Sequence, residues 1–381
     1  MDKQKILIIA SNFPPLSTSS GKRLGDLFFY FPRDSYYVLT EKKMRFFPEF
    51  NSGRTFYFSG IKFFKFGFYF TQIFDIIKKA LYLCRKNNIK SILLIVDAGP
   101  CMLASFFLFF LTKIPIDFYF FDLYKGNNSL SRIAFYVASF IEKFLIKKSR
   151  YLFFIWDDLK DFYKNRYPDD VQKMFVISSS IIYEKYYISK TDLSKKSIYR
   201  IYYTGSISKF QFDIIKLFCE VIRNHSDLEL YLFTPHKKTE IKILNEKGIY
   251  AKNVYWDYAE GDKLIKELKK ADLLLMPFSF LEENKIVVSI MVGGKIVEYL
   301  ASAIPILLIA PSYAAVTKFF MNYNLGLVVS ESSKMAVESI LREFIKNEKK
   351  YLETALMARE VSKKFFTAEK NCQLLMNFLF N

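Results

Sequence analysis

The sequence is poor in the residues that build disulfide scaffolds, metal sites and linkers. Its 381 residues include four cysteines, two histidines, 13 glycines and 11 prolines. The cysteines lie far apart without a CxxC pair, which argues against a disulfide scaffold or a cysteine zinc site and fits a reducing cytoplasm. No H-x-x-x-H or H-E-x-x-H pattern occurs, so no transition-metal site is predicted. The low glycine and proline content excludes collagen-like and linker-rich chains.

The chain lacks an uninterrupted apolar run long enough to cross a membrane. Its most apolar region, residues 91–112, contains Asp97, Gly99 and Pro100, and an ionisable group in a spanning helix costs about 3 kcal/mol. We therefore predict a buried strand over residues 91–96, a tight turn, and a buried helix over residues 101–111. We do not expect the start of the chain to be a signal peptide, because its apolar stretch is too short.

Acidic residues are scarce in the first part of the chain. Residues 1–150 carry 23 basic and 10 acidic side chains. Their net charge is therefore +13, out of +18 for the whole chain. Such a positive field attracts phosphates, nucleic acid or an anionic membrane leaflet; the alternative is a lysine-rich composition with solvated charges. Within this part, residues 54–90 interleave aromatic side chains with eight Lys or Arg. This pattern favours membrane docking, with a packed strand and helix as the alternative. No nucleic-acid-binding module is recognisable.

Aromatic residues are abundant, with 42 Phe and 26 Tyr. They predict large hydrophobic cores, and exposed aromatic side chains could also form an adhesive surface. Short apolar runs alternate with amphipathic stretches, which predicts α/β domains with parallel sheets covered on both faces. The pattern restarts near residue 198, after a linker over residues 178–197, and residues 333–380 are predicted to be helical. The predicted strands cover residues 5–11, 36–40, 55–59, 91–96, 117–122 and 151–156 in the first part, and 198–205, 229–235, 253–256, 272–278, 305–311 and 326–330 in the second.

A glycine-rich segment, residues 291–305, combines groups suited to a nucleotide diphosphate. Gly293 and Gly294 open a predicted helix, Lys295 lies in its first turn, and Glu298 follows three residues later on the same face. Backbone amides and the lysine can hold a diphosphate, and the carboxylate can bind two ribose hydroxyls. The alternative is a surface salt bridge. The loop that leads to Gly21, after the first strand, offers a second set of backbone amides that can bind phosphate. The alternative is an ordinary connection between a strand and a helix.

The same segment resembles the P-[ST]-K-x-x-E-Y-L-A-x-G-x-P sequence of glycosyltransferase family 4. Further segments of this chain resemble the family in the same order. They are residues 5–21 ("FPP…G"), Phe121-Asp122-Leu123, residues 151–167, Tyr203-Thr204-Gly205-Ser206 ("Y-x-G-[RS]"), and residues 272–278. The resemblance rests on the order of these segments along the chain.

The resemblance implies a GT-B fold, in which two Rossmann-like doubly wound domains face a central cleft. Residues 1–180 would form the acceptor-binding domain and residues 198–355 the nucleotide-sugar-binding domain, with a helix over residues 356–381 that crosses back. The implied activity is hexosyltransferase-like transfer from a nucleotide-diphospho-sugar to a glycan hydroxyl, retaining and without cofactor or metal. We also expect the acceptor to be lipid-linked, as in lipopolysaccharide or capsule synthesis. The expected location is the cytoplasmic face of the plasma membrane.

Site residues follow from the resemblance position by position. Glu298 matches the second Glu of the family's Glu-x7-Glu motif, which binds the donor ribose, and Lys295 with Gly293 and Gly294 lies near the expected diphosphate. The remaining expected positions are Gly205 and Ser206 (a strand-end turn that faces the donor), Gly21 (close to the phosphates), and Asp122 (a cleft-facing acid and the catalytic candidate).

The chain also departs from the family pattern. Met291 stands where the first Glu of the motif falls, Ser206 where many members have Arg, and Gln211 where many have Lys. Lys209 is a candidate substitute cation, and Ala303 replaces the usual Gly. Two alternatives therefore stay open: a GT-B-fold sugar-nucleotide epimerase and a non-catalytic homologue. His236, just beyond a predicted strand, is either a solvated loop residue or a neighbour of the site.

Overall fold

The structure is a computed structural model that describes residues 4–14, 19–41, 54–60, 65–96, 99–124, 132–186 and 196–380. It divides into two compact units, one formed by Met1–Ile182 with Phe366–Asn381 and the other by Tyr183–Phe365. Part of the predicted linker (residues 187–195), part of the loop before Gly21 (residues 15–18) and Asp97 of the predicted turn lie outside the described residues.

A parallel sheet of seven strands forms the first unit, in the order β3-β2-β1-β4-β5-β6-β7. Its middle strands are buried along their length, because helices cover both faces of a parallel sheet. The strands are β1 Lys5–Ala10, β2 Tyr36–Glu41, β3 Thr55–Phe58, β4 Ile89–Val96, β5 Ile116–Phe120, β6 Leu152–Phe154 and β7 Met174–Val176.

Helices of the first unit divide between the two faces of its sheet. Right-handed crossovers put helices of connections that step in one direction on the same face. The steps from β3 to β4, β5 and then β6 thus place α2, α3 and α4 in one layer, whereas α1 packs with α14. The helices are α1 Ser19–Phe28, α2 Lys65–Lys86, α3 Gly99–Thr112, α4 Arg132–Lys148, α5 Asp157–Arg166 and α14 Ala368–Phe380.

The second unit is built on a parallel sheet of six strands, in the order β10-β9-β8-β11-β12-β13. Its strands are β8 Tyr199–Thr204, β9 Leu228–Phe233, β10 Val254–Asp257, β11 Leu273–Pro277, β12 Ile306–Ile309 and β13 Leu327–Val329. Its helices are α6 Phe212–Ile222, α7 Lys238–Glu246, α8 Gly261–Leu268, α9 Lys285–Ile290, α10 Ile296–Ser302, α11 Ala315–Tyr323, α12 Lys334–Lys346 and α13 Glu348–Phe366.

Large aromatic side chains fill both cores, as the composition predicts. Tyr119 and Tyr163 are fully buried in the first unit, and Tyr203 and Tyr299 in the second. Phe120 and Phe154 stack across β5 and β6 with ring centroids 5.0 Å apart. A buried aromatic ring removes more apolar area from water than any aliphatic side chain, so a few rings contribute much of the hydrophobic stabilisation.

A buried aspartate stands at the amino end of a central strand in each unit. In the first, Asp117 accepts hydrogen bonds from Arg150 (2.5 Å), the Ser91 hydroxyl (3.1 Å) and the Tyr151 amide (3.1 Å). In the second, Asp272 accepts hydrogen bonds from Lys196 (2.9 Å) and the Arg200 amide (2.8 Å). A buried carboxylate is tolerated when it is paired and fully hydrogen-bonded, and here it ties neighbouring strands together.

Two local features differ from the sequence-based expectations. The short edge strand β7 was not predicted, because residues 171–200 are polar overall. Residues 333–380, which were predicted to be helical throughout, form three helices that are interrupted at Asn347 and Thr367.

The apolar region at residues 91–112 forms a strand and a helix, as predicted, namely the end of β4 followed by α3. In the part of the chain that the structure describes, none of the helices combines the length and the hydropathy that a membrane crossing requires.

Candidate functional site

The candidate residues of the second unit gather at the carboxyl ends of β8 and β11. These two strands are neighbours, and the chain order reverses between them, since β9 lies on one side and β12 on the other. Such a switch point is where ligands bind in doubly wound sheets, because the loops that leave the two strands diverge and open a crevice. Gly205 and Ser206 follow β8 directly, and Phe278 follows β11.

Gly205 allows a lysine to approach the end of β8. Its φ of +110° is a conformation that side-chain-bearing residues rarely adopt. A Cβ added to Gly205 would overlap the Nζ and Cε atoms of Lys295. The Gly205 amide donates to the Phe233 carbonyl oxygen (2.6 Å), which fixes the turn to β9. The structure thus brings together two residues that the sequence analysis selected 90 positions apart.

Lys295 is a cation held in a poor environment for charge. Its Nζ lies 4.2 Å from the centroid of the Tyr203 ring, which the buried strand β8 supplies. Burial lowers the pKa of Lys295 to about 7, against the opposing attraction of Glu298. The side chain therefore carries only part of its charge at neutral pH, and an anion bound beside it would restore the full charge.

Glu298 lies half-buried in the first turn of α10. The helix itself is fixed on two sides. The Tyr299 hydroxyl accepts hydrogen bonds from the Thr204 amide (2.9 Å) and hydroxyl (3.2 Å), and Arg359 donates to the Ala301 carbonyl oxygen (2.9 Å). Because Tyr299 ties α10 to the end of β8, Glu298 and Lys295 keep a set position relative to Gly205.

The two glycines before α10 make a tight turn. Gly293 has φ of +74°, and a Cβ there would come within 3.3 Å of the Phe278 ring. Lys295 is the residue that precedes α10 rather than a member of its first turn, one position from the prediction. Ala303, which replaces the family's glycine, ends α10 with φ of +58°, so the left-handed conformation is kept without the residue that adopts it most easily.

Polar side chains stiffen the loop between β8 and α6. His236 Nε2 accepts a hydrogen bond from the Ile207 amide (2.9 Å), and its Nδ1 lies 3.6 Å from Glu240. The buried Asn284 donates to the Lys209 carbonyl oxygen (3.1 Å). His236 is thus a bonded neighbour of the site and not a solvated loop histidine. Its position just after β9 was the signal that pointed to this alternative.

The residues that depart from the family pattern are also placed by the structure. Ser206 and Lys209 are exposed, and the Lys209 ammonium lies 5.1 Å from the centroid of the Phe210 ring. Gln211 accepts hydrogen bonds from the Ser208 hydroxyl (2.7 Å) and amide (3.2 Å), so its side chain closes a local turn. Met291 is half-buried at the end of α9. The cation that reaches the Gly205 turn is therefore Lys295, whose ammonium lies against Gly205.

Gly21 and Asp122 belong to the first unit. Gly21 is buried in α1, and Asp122 is exposed after β5, where its Oδ1 accepts a hydrogen bond from the Leu123 amide (2.9 Å). Arg23, which the sequence analysis did not select, lies near the same strand end. It donates to Ser179 (2.9 Å), and its guanidinium lies 5.6 Å from the centroid of the Phe121 ring.

Metal ligands do not gather around these residues. Over the ranges that the structure describes, no group of three or more His, Cys, Asp or Glu side chains is arranged to hold a metal ion. The polar groups of the site instead suit an anion and a polyol: a lysine ammonium, a carboxylate, and backbone that a ligand can approach at Gly205.

Comparisons with known proteins identify the fold. Neither a protein family model nor a curated protein matches the chain. HepE from Anabaena, solved in complex with UDP-glucose, matches with a TM-score of 0.71 and 12% identity over 98% of this chain and 99% of that one. A glycosyltransferase from Rickettsia africae matches with a TM-score of 0.68 and 11% identity over 100% and 98%. A putative UDP-N-acetylglucosamine 2-epimerase from Listeria monocytogenes matches with a TM-score of 0.60 and 10% identity over 98% and 95%.

These matches cover nearly the whole chain at low sequence identity, so they speak for the fold. Both sheets are parallel, both reverse their strand order at an inner strand, and both are covered by helices. The expected GT-B fold is therefore confirmed: the chain consists of two Rossmann-like, doubly wound domains of the kind found in glycosyltransferases of known structure.

Proposed function

We propose that this protein is a glycosyltransferase that uses a nucleotide-diphospho-sugar as its donor. The observation that carries the proposal is the meeting of Gly205 and Lys295 at the switch point of the second sheet. This arrangement holds an ammonium in surroundings that disfavour its charge. A diphosphate is the group that reverses this penalty, because its oxygens supply the missing counter-charge.

Each donor-site residue has a distinct task in the proposed reaction. Lys295 and the backbone of the Gly205–Ser206 turn bind the diphosphate, while Glu298 accepts hydrogen bonds from the ribose hydroxyls. The acceptor hydroxyl forms a bond to the anomeric carbon as the bond from that carbon to the diphosphate oxygen breaks, and the proton of the hydroxyl passes to the departing diphosphate. Because negative charge grows on the leaving diphosphate, a preorganised cation beside it stabilises the transition state more than the ground state.

The acceptor in this proposal is a glycan hydroxyl, carried on a lipid-linked surface polysaccharide such as lipopolysaccharide or capsule. Asp122 is proposed as the acidic residue of the acceptor side, since it is exposed directly after a central strand of the first unit. Retention of configuration, absence of a required metal, and a location on the inner face of the plasma membrane remain parts of the same proposal. The basic, aromatic character of residues 54–90 supports the location.

Product analysis tests the proposed activity. The protein is incubated with UDP-glucose and with other nucleotide sugars, each with and without a membrane extract that contains lipid-linked glycans. We expect release of nucleoside diphosphate and sugar incorporation into the lipid fraction in the presence of acceptor. Asp122→Asn, a variant outside the donor-site residues, is expected to slow transfer while it leaves nucleotide binding unchanged. Nucleotide binding without transfer to any acceptor would contradict the transferase assignment.

A GT-B-fold sugar-nucleotide epimerase is the second candidate. The fold match to the putative epimerase from Listeria monocytogenes supports it, at a lower TM-score than the match to HepE. An epimerase converts the nucleotide sugar in the absence of acceptor and releases no nucleoside diphosphate at equilibrium. Epimer formation in the acceptor-free arm would therefore favour this candidate.

The non-catalytic alternative is motivated by Met291 and Ser206, which remove a hydroxyl-binding carboxylate and a phosphate-binding cation from the family pattern. Calorimetric titration with UDP, GDP and dTDP separates it from both enzymes. Binding of none of the three would favour a structural or assembly role.

A further inference from the structure

The outer surface of the α2–α3–α4 layer in the first unit is unusually aromatic for a soluble surface. Phe70 and Tyr136 are 78% and 73% exposed, whereas large exposed apolar groups cluster where a protein meets a partner or a membrane. The exposed apolar side chains of this layer are Tyr69, Phe70, Phe74 and Tyr82 on α2, Phe107, Phe110 and Leu111 on α3, and Phe135, Tyr136, Val137 and Phe140 on α4.

These side chains share one surface because the three helices are neighbours. α3 packs against both α2 and α4. Phe106 and Phe140 link α3 to α4 with ring centroids 6.3 Å apart, and Phe110 stacks on Phe144 at 5.3 Å. The rings of one helix therefore continue into those of the next.

Aromatic and cationic side chains are ordered along the helices. On α2, an exposed stripe at four-residue spacing consists of Phe70, Phe74, Lys78, Tyr82 and Lys86, so rings and cations interleave in its second half. On α4, exposed Tyr136 and Phe140 are followed by exposed lysines at positions 143 and 147. Since all three helices connect parallel strands, they run in the same direction, so Phe70 and Tyr136 lie at one end of the layer. Tyr82 and the exposed rings of α3 lie toward the other end, among the exposed lysines of α2 and α4.

The charge of this surface has one sign. Among the side chains of these three helices that the structure describes, the acids are Asp75, which pairs with Lys79 at 2.7 Å, and Glu142, which is buried. The exposed charged residues are Lys78, Arg85, Lys86, Lys143, Lys147 and Lys148. Each cation near an anionic bilayer contributes about 1 kcal/mol of attraction, and rings with an apolar body settle at the headgroup level.

We infer that the outer surface of α2, α3 and α4 docks this protein on an anionic lipid bilayer, with the exposed rings inserted at the interface and the lysines against lipid phosphates. The inference extends the basic segment at residues 54–90 to two further helices, α3 and α4. It rests on the proposed function, which explains why the protein would be at a membrane. Docking itself requires neither donor nor acceptor.

Flotation with phosphatidylcholine vesicles, with and without phosphatidylglycerol, tests the inference on the full chain. The wild-type protein is expected to float with the phosphatidylglycerol vesicles and to release in high salt. Two double variants remove one feature each, Phe70→Ser with Phe140→Ser and Lys143→Glu with Lys147→Glu. Both are expected to reduce vesicle partitioning at least about tenfold, since two interfacial contacts are lost or reversed.

Matched controls carry equivalent changes on the second unit. Tyr250→Ser removes an aromatic side chain that is 60% exposed, and Lys252→Glu with Lys263→Glu reverses two exposed lysines. These controls are expected to float as the wild type does. Circular dichroism checks folding, and UDP calorimetry, which docking variants should leave unchanged, separates a failure of docking from a failure of the donor site.

Three outcomes would overturn the inference. They are absence of wild-type flotation at low salt, equal flotation of the wild type and both docking variants, and self-association in light scattering that the Phe70→Ser with Phe140→Ser variant abolishes. The last result would assign the surface to contacts between copies of the chain.

Discussion

At the scale of single residues, Lys295 links the proposed donor to protonation. Its pKa of about 7 lies below the value of 10.5 for a free lysine because burial disfavours the charged form. Between these two values the unfolded chain binds more protons than the folded one, so this residue makes folded-state stability rise with pH across that window. A bound diphosphate would raise the pKa of Lys295 again, so Lys295 would take up a proton when the diphosphate binds.

We therefore expect the affinity for UDP to fall as pH rises above about 7, by at most about tenfold per pH unit. In Lys295→Met the affinity should be weaker and nearly independent of pH between neutrality and mild alkali. Calorimetry in buffers of different ionisation enthalpy measures the proton uptake directly. Lys252→Met, which removes an exposed lysine next to the amino end of β10, serves as the control and should keep the wild-type profile. Identical profiles for the wild type and Lys295→Met would contradict the assignment.

Gly205 provides a second test at this scale. A Cβ at Gly205 collides with Lys295, and at Gly248 it meets Lys216 at 2.9 Å; both glycines have positive φ, +110° and +102°. Substitution of either by Ala should cost about 1–3 kcal/mol of stability through backbone strain. Only Gly205→Ala should also weaken UDP binding, because it alone displaces the lysine of the site. Denaturant unfolding and UDP titration of both variants are the measurements, and equal loss of affinity in both would be the contrary result.

At the scale of elements, the buried aspartates at the amino ends of β5 and β11 hold the strands in register. Asp117 receives two side-chain donors and one amide, and the loss of its carboxylate would leave the Tyr151 amide without this acceptor. Asp117→Ala is expected to destabilise the fold by about 3 kcal/mol. The control Asp157→Ala breaks a pair in which the acid is 73% exposed and should cost below about 1 kcal/mol. Comparable losses in urea unfolding would show that burial of this network is not the stabilising factor.

The sequence predicts long elements well and short ones poorly. Strands β1, β4, β8 and β11 are apolar runs that end in turn residues, and each lies within about two residues of its predicted limits. β7 has three residues and its stability comes from pairing with β6, so no periodicity marks it. The break between α13 and α14 at Thr367 was not predicted either, because a tertiary contact produces it. Thr367 forms a bridge with Ile181, a contact between distant parts of the chain.

At the scale of the whole molecule, the repeated strand–helix pattern predicts two doubly wound domains, and the GT-B fold confirms it. Within the second domain the site was predictable where residues are close in sequence, as with Gly293, Lys295 and Glu298. It was not predictable where tertiary contacts decide. Thr204 and Tyr299 are 95 residues apart, and Ile207 and His236 are 29 apart.

The distribution of charge is also a property of the whole chain. Most of the net positive charge belongs to residues 1–150, and part of it surrounds the exposed rings of α2, α3 and α4. The second unit carries the proposed donor-site residues Gly205, Lys295 and Glu298 instead. The proposed functions of attachment and donor binding are thus assigned to different units and can be removed separately by mutation.

The central claim is that the second unit binds a nucleoside diphosphate between Gly205 and α10, and calorimetric titration of UDP, GDP and dTDP into the wild type and Glu298→Ala tests it most directly. The account predicts that the wild type binds at least one of the three, and that the folded Glu298→Ala protein binds it at least about tenfold more weakly, because hydrogen bonds from the ribose to a charged acceptor are lost. No binding of any nucleotide to the wild type, or equal affinity in the wild type and the variant, would contradict it.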